Sequence, residues 1–123
     1  MKKFIVTTTI QPPTEATIKY SEMDGWELVV VGDKKTPHQA YKELNCIYLH
    51  PEEQENINKE LSDSIGWNCI QRRNMGFLFA YLNGADVMAT VDDDNIPYDF
   101  WGSDLYIDKE LDVIIYESEN GYF

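Results

Sequence analysis

Three adjacent carboxylates, Asp92-Asp93-Asp94, followed by Asn95, stand directly behind the apolar segment Val87-Met88-Ala89-Thr90-Val91. Such groups repel one another at neutral pH, so a cation that neutralises them is their natural companion. Their oxygens are hard ligands suited to Mg²⁺ or Mn²⁺, and Mg²⁺ is commonly held by one or two carboxylates with substrate phosphates completing the shell. A nucleotide is therefore the first ligand to consider. The plain alternative is a solvated acidic turn, since Asp and Asn are ordinary turn residues.

Other residues suit the same ligand. Arg72 or Arg73 could clamp a diphosphate opposite a metal, and Asn74 follows them directly. Their plain readings are solvated side chains, partners for acids such as Asp63, or a satisfied polar position on a mixed helix face. Thr7, Thr8 and Thr9 are good β formers, and Asp33 behind Gly32 reads equally as a turn residue. His38 and His50 have no spacing partner for a metal site and read as surface or capping residues. Tyr98 and Trp101 weigh toward packing rather than toward a substrate platform. Cys46 and Cys69 show no CxxC or Cys/His pattern and read as reduced core thiols.

The elements that must position these residues belong to one domain spanning 1–123, a length able to bury a real core. Three Trp, eight Tyr and five Phe exclude a disordered chain, and a net charge of −12 argues against nucleic acid or an anionic membrane as partner. The apolar start breaks too early, at Gln11-Pro12-Pro13, for a secretion signal, and no stretch approaches the roughly 20 apolar residues of a membrane span. A cytoplasmic protein is expected.

Short β-rich runs alternating with helical patterns predict an α/β fold, a Rossmann-like three-layer α/β/α sandwich on a mostly parallel sheet. Strands are expected at Phe4 to Thr9, Glu27 to Val31, Cys46 to Leu49, Val87 to Val91 and Val113 to Tyr116. Helices are expected from Thr14 to Met23, from Pro51 to Leu61 and, the longest, from Trp67 to Asn83, with Ser62, Asp63, Ser64 and Gly66 as loop and cap material. Gly76 and Ala80 lie four apart on the last helix, letting its backbone approach the sheet.

Ligands of open α/β sheets bind outside the carboxyl ends of the strands, which selects the loops beginning at Thr9, Gly32, His50 and Asp92. A helix about 25 Å long before a strand of about 17 Å would overhang that edge, bringing Arg72 and Arg73 beside the carboxylates.

The stretch Trp67-Asn68-Cys69-Ile70-Gln71-Arg72-Arg73-Asn74-Met75-Gly76-Phe77-Leu78-Phe79-Ala80, then Ala85-Asp86 and the strand into Asp92-Asp93-Asp94-Asn95, resembles the nucleotide-binding half of GT-A-type nucleotide-sugar glycosyltransferases of the STELLO-type group. The resemblance is clearest from about Ile65 to Trp101. It implies a DxD motif whose carboxylates meet ribose and the metal bridging the donor diphosphate. Asp94 would then be the metal ligand, with Asp92 toward ribose or metal and the role of Asp93 open. It further implies that Thr8, Thr9 and Asp33 line the nucleobase pocket and that Arg73 and Asn74 face the nucleotide of a UDP- or GDP-sugar. GT-A domains usually continue well past the DxD loop to an acceptor site. Here Ile96 to Phe123 remain, so a domain lacking its acceptor part, completed by a missing half or by a homo-oligomer, is expected.

Two functions follow. One is a metal-dependent glycosyl transferase, in which the metal stabilises the leaving diphosphate. The other is a non-catalytic nucleotide-binding or oligomerising module with the same fold. A receiver-type phosphotransfer domain is discounted, because the loop after the first strand reads Thr9-Ile10-Gln11 where acids are needed.

Overall fold

The computed structural model describes residues 1–121. Four parallel strands run in the order β3-β2-β1-β4: β1 (Lys3–Thr9), β2 (Glu27–Gly32), β3 (Ile47–Leu49) and β4 (Val87–Thr90). The Leu28–Val31 run is buried on both faces, as a central parallel strand must be. Alternate residues of β1 and β2 feed opposite layers. Phe4, Val6, Val29 and Val31 pack with Leu49, Met75 and Ala80, whereas Ile5, Leu28 and Val30 pack with Ala16, Tyr20 and Tyr41. Helices α2 (Pro51–Ile57), α3 (Lys59–Ile65) and α4 (Arg73–Leu82) serve the first layer, and α1 (Glu15–Ser21) the second. The α/β/α expectation holds.

Gly76 lets α4 lie directly on the sheet. A Cβ there would stand 2.5 Å from Val6 Cγ1 and 2.7 Å from Val31 Cγ2, so only glycine permits this approach. Asn83 and the left-handed Gly84 then end the helix.

Three expectations are corrected. The segment expected as one helix from Pro51 to Leu61 breaks at Asn58, whose extended backbone closes α2 while its side-chain oxygen caps α3 through Leu61 N–H at 2.9 Å. Ser62, Asp63 and Ser64 are consequently helical rather than loop. The longest helix begins at Arg73, not Trp67. The chain turns sharply at Asn68 (φ 57°) and passes through a 3-10 turn over Ile70–Arg72 before regular helix begins. Val113 to Tyr116 forms no strand among the described residues and lies exposed. No helix among the described residues is long and apolar enough to cross a membrane.

Candidate functional site

Strand order reverses between β1 and β4: β2 and β3 lie on one side of β1, β4 on the other. The crevice at such a switch point is where ligands of this architecture bind. Here a cleft of about 280 Å³ opens at the carboxyl ends of the strands, lined by Thr8, Thr9, Ile10, Asp33, Asn68, Cys69, Ile70 and Asp93.

Hydrogen bonds pin the acidic loop to the strand beside it. Thr9 Oγ1 donates to Asp93 Oδ2, and the Thr14 hydroxyl donates to the Asp93 carbonyl while capping α1 through Thr17 N–H. Tyr20 Oη reaches the Asn95 carbonyl at 3.2 Å. Asp93 is thus tied down and half-buried, whereas Asp92 and Asp94 on either side of it are exposed. Asp92 Oδ1 accepts from Arg73 Nη2 at 2.9 Å, and Arg73 Nη1 donates to Thr90 Oγ1 at 2.9 Å. Asp94 makes no hydrogen bond or ion pair among the described residues.

Asp33 is 2% exposed and acts through backbone rather than facing open space. Its Oδ1 accepts from Asn68 N–H at 2.9 Å and Lys34 N–H at 2.7 Å, and its Oδ2 from Cys69 N–H at 3.3 Å. That carboxylate is what bends the chain before α4. Thr8 Oγ1 donates to Val31 O at 2.9 Å, so this threonine also serves the sheet.

Arg72 is corrected outright. Instead of reaching toward the carboxylates it is fully buried on the far side of the bend. Its Nε donates to Gln54 Oε1 at 3.1 Å, its Nη1 to the carbonyls of Ser62 and Gly66 at 3.0 and 3.1 Å, and its Nη2 to Ser62 Oγ at 3.0 Å. Its guanidinium lies 3.7 Å from the Trp67 ring centre. Burial lowers its pKa and neighbouring Asp33 opposes that shift. The overhanging helix that was to carry it to the site is replaced by the bend at Asn68. Asn74 is exposed in the first turn of α4, outside the cleft lining.

The structure therefore gathers Thr8, Thr9, Asp33 and Asp93 into one cleft and couples Arg73 to Asp92 at its edge. Asn68, Cys69 and Ile70 were missed as cleft residues because a continuous helix from Trp67 was expected. Gly66 and Asn68, two residue types that tolerate positive φ, were the available signal for a bend.

Among the described residues no three His, Cys, Asp or Glu side chains converge as a metal cage. The oxygen donors of Asp92 and Asp94 nevertheless suit a hard divalent ion that keeps waters and takes its remaining ligands from phosphates. His50 is a capping residue as expected, accepting from Glu52 N–H at the start of α2. Both cysteines are free and half-buried rather than fully in the core. Trp101 packs against Tyr20 and Trp26, both 5.2 Å between ring centres, while Tyr98 is exposed and stacks on Phe100.

No family model matches the chain. Over 92 residues it is 27% identical to "Probable glycosyltransferase STELLO2" and 26% identical to "Probable glycosyltransferase STELLO1", both of Arabidopsis thaliana. Each match covers 75% of this chain but 12% of the relative, so the chain spans a small part of those proteins' length. The similarity, on a Rossmann-like parallel sheet, supports a glycosyltransferase-like relationship.

Proposed function

We propose that this chain binds the nucleotide diphosphate of a sugar donor, in the manner of GT-A glycosyltransferases, with Mg²⁺ or Mn²⁺ held by Asp92 and Asp94. The observation that carries the reading is the meeting of the acidic loop and the cleft at the β1/β4 switch point. Thr8, Thr9 and the loop that Asp33 fastens form the wall for the nucleoside. Asp93 fixes the loop through Thr9 and Thr14, which leaves the carboxylates on either side of it facing outward. Arg73 orients Asp92 and supplies a guanidinium beside the diphosphate, with Asn74 one residue further along the helix. When bound, the metal supplies charge neutralisation to the departing diphosphate.

Binding without transfer by this chain alone is the second reading, favoured by one observation. The two carboxylates lining the cleft, Asp33 and Asp93, both accept protein hydrogen bonds, so neither stands free as a base. Donor binding without transfer or hydrolysis would select this reading.

Calorimetry with UDP and GDP, each with Mn²⁺ or EDTA, tests the proposal. Binding with Mn²⁺, lost in EDTA and in Asp94→Asn while circular dichroism is unchanged, is expected. Equal affinity with and without metal would remove the DxD assignment, and no nucleotide binding by a folded sample would sink the proposal.

A further inference from the structure

Asn68 is one of two non-glycine residues at positive φ among the described residues, the other being Asp108 in the exposed carboxyl-terminal segment. It lies in the cleft wall between Gly66, also at positive φ (76°), and the 3-10 turn over Ile70–Arg72. Side chains outside glycine reach this conformation at some energetic expense, and such residues persist where surrounding contacts over-determine them. The contacts are visible here. Asp33 takes the Asn68 N–H from below, and Arg72 takes the Gly66 carbonyl from behind while stacking on Trp67. The Asn68 and Cys69 N–H groups, the Cys69 thiol and the Gly66 carbonyl are all directed inward to the protein. The Asn68 carboxamide, by contrast, is exposed and makes no hydrogen bond among the described residues.

A carboxamide presents a donor and an acceptor side by side, the complement of the polar edge of a nucleobase. Of the other cleft residues, Ile10 and Ile70 are apolar, and the hydroxyl protons of Thr8 and Thr9 are committed to Val31 O and Asp93.

We infer that Asn68 reads the base edge of the bound nucleotide, and that Asp33 is a positioning residue which holds the Asn68 backbone in place rather than touching the base itself. This rests on the nucleotide reading above and reassigns which residue of the cleft does the reading.

Glycine is the informative replacement, because Asn68→Gly keeps the positive φ and removes only the carboxamide. The experiment titrates wild type and Asn68→Gly with UDP, GDP and inorganic pyrophosphate, all with Mn²⁺. Losing one or two hydrogen bonds to the base should weaken UDP or GDP by about five- to fifty-fold while leaving pyrophosphate unchanged. Asp33→Asn should raise amide hydrogen exchange at Asn68 and Cys69 and weaken nucleotide more than pyrophosphate. An unchanged nucleotide affinity in Asn68→Gly, or equal losses for nucleotide and pyrophosphate, would overturn the inference while leaving the nucleotide reading intact. Failure of wild type to bind either nucleotide would overturn both.

Discussion

Arg72 and Arg73 are adjacent in sequence yet belong to different regions of the molecule. The first closes a sealed polar core behind the bend, where Gln54, Ser62 and the Gly66 carbonyl consume its donors. The second lies at an open edge, paired with the half-exposed Asp92. A 3-10 turn running into an α-helix separates neighbouring side chains by about 100°, so one step in sequence can move a guanidinium from scaffold to site. The buried region spends its charge on holding the cleft wall, whereas the edge keeps its charges available to a ligand.

The largest expected effect breaks the sealed region. Arg72→Ala orphans Gln54 Oε1 and two carbonyls and leaves a void beside Trp67, a loss of roughly 3–5 kcal/mol by analogy with broken buried pairs. Arg73→Ala, at a pair whose Asp92 is half exposed and whose Arg73 is 20% exposed, should cost about 1 kcal/mol. Urea unfolding of both variants checks this; equal losses would erase the distinction between the regions.

Gly76→Ala comes next and sharpens the same contrast from the apolar side. Alanine would gain about 1 kcal/mol in helix propensity, but its Cβ would meet Val6 and Val31 at 2.5 and 2.7 Å, and overpacking of this kind costs about 1–3 kcal/mol. A net destabilisation in thermal unfolding is expected. Gly84→Ala makes a useful control: no atom lies within 4 Å of its Cβ, so any loss there reports the positive φ of 78° alone.

Sequence made the scaffold legible where periodicity and punctuation agreed. The Leu28–Val31 run, the Gly76–Ala80 face and the aspartates behind β4 each landed where their patterns placed them. It was least legible where one side chain redirects the chain at a distance. Asp33 bends residues 67–69 through backbone hydrogen bonds spanning 35 and 36 positions, and no local propensity encodes such a contact. The misplacement of Arg72 followed directly, since its neighbours looked helical and only the bend turns it inward. Asn58 misled in the opposite way: a single residue serves as the end of one helix and the cap of the next, which helical periodicity passes over.

The smallest effect concerns the strand β3 margin, where two histidine rings face each other beside Tyr48. The His38 and His50 rings lie 4.4 Å apart, and His38 Nδ1 is hydrogen-bonded to Tyr48 Oη. Burial, then the neighbouring His50, lower the His38 pKa below its ordinary 6.5. Because the folded value lies below the unfolded one, the unfolded chain binds more protons between the two. The stability tied to neutral His38 is therefore complete above pH 6.5 and is lost as pH falls toward the folded pKa. Replacing His38 with Gln should flatten the fall in melting temperature between pH 7 and 5.5 relative to wild type, while Arg73→Ala should leave that slope unchanged. A slope unaltered by His38→Gln would assign the acid sensitivity to other groups and leave His38 a packing residue.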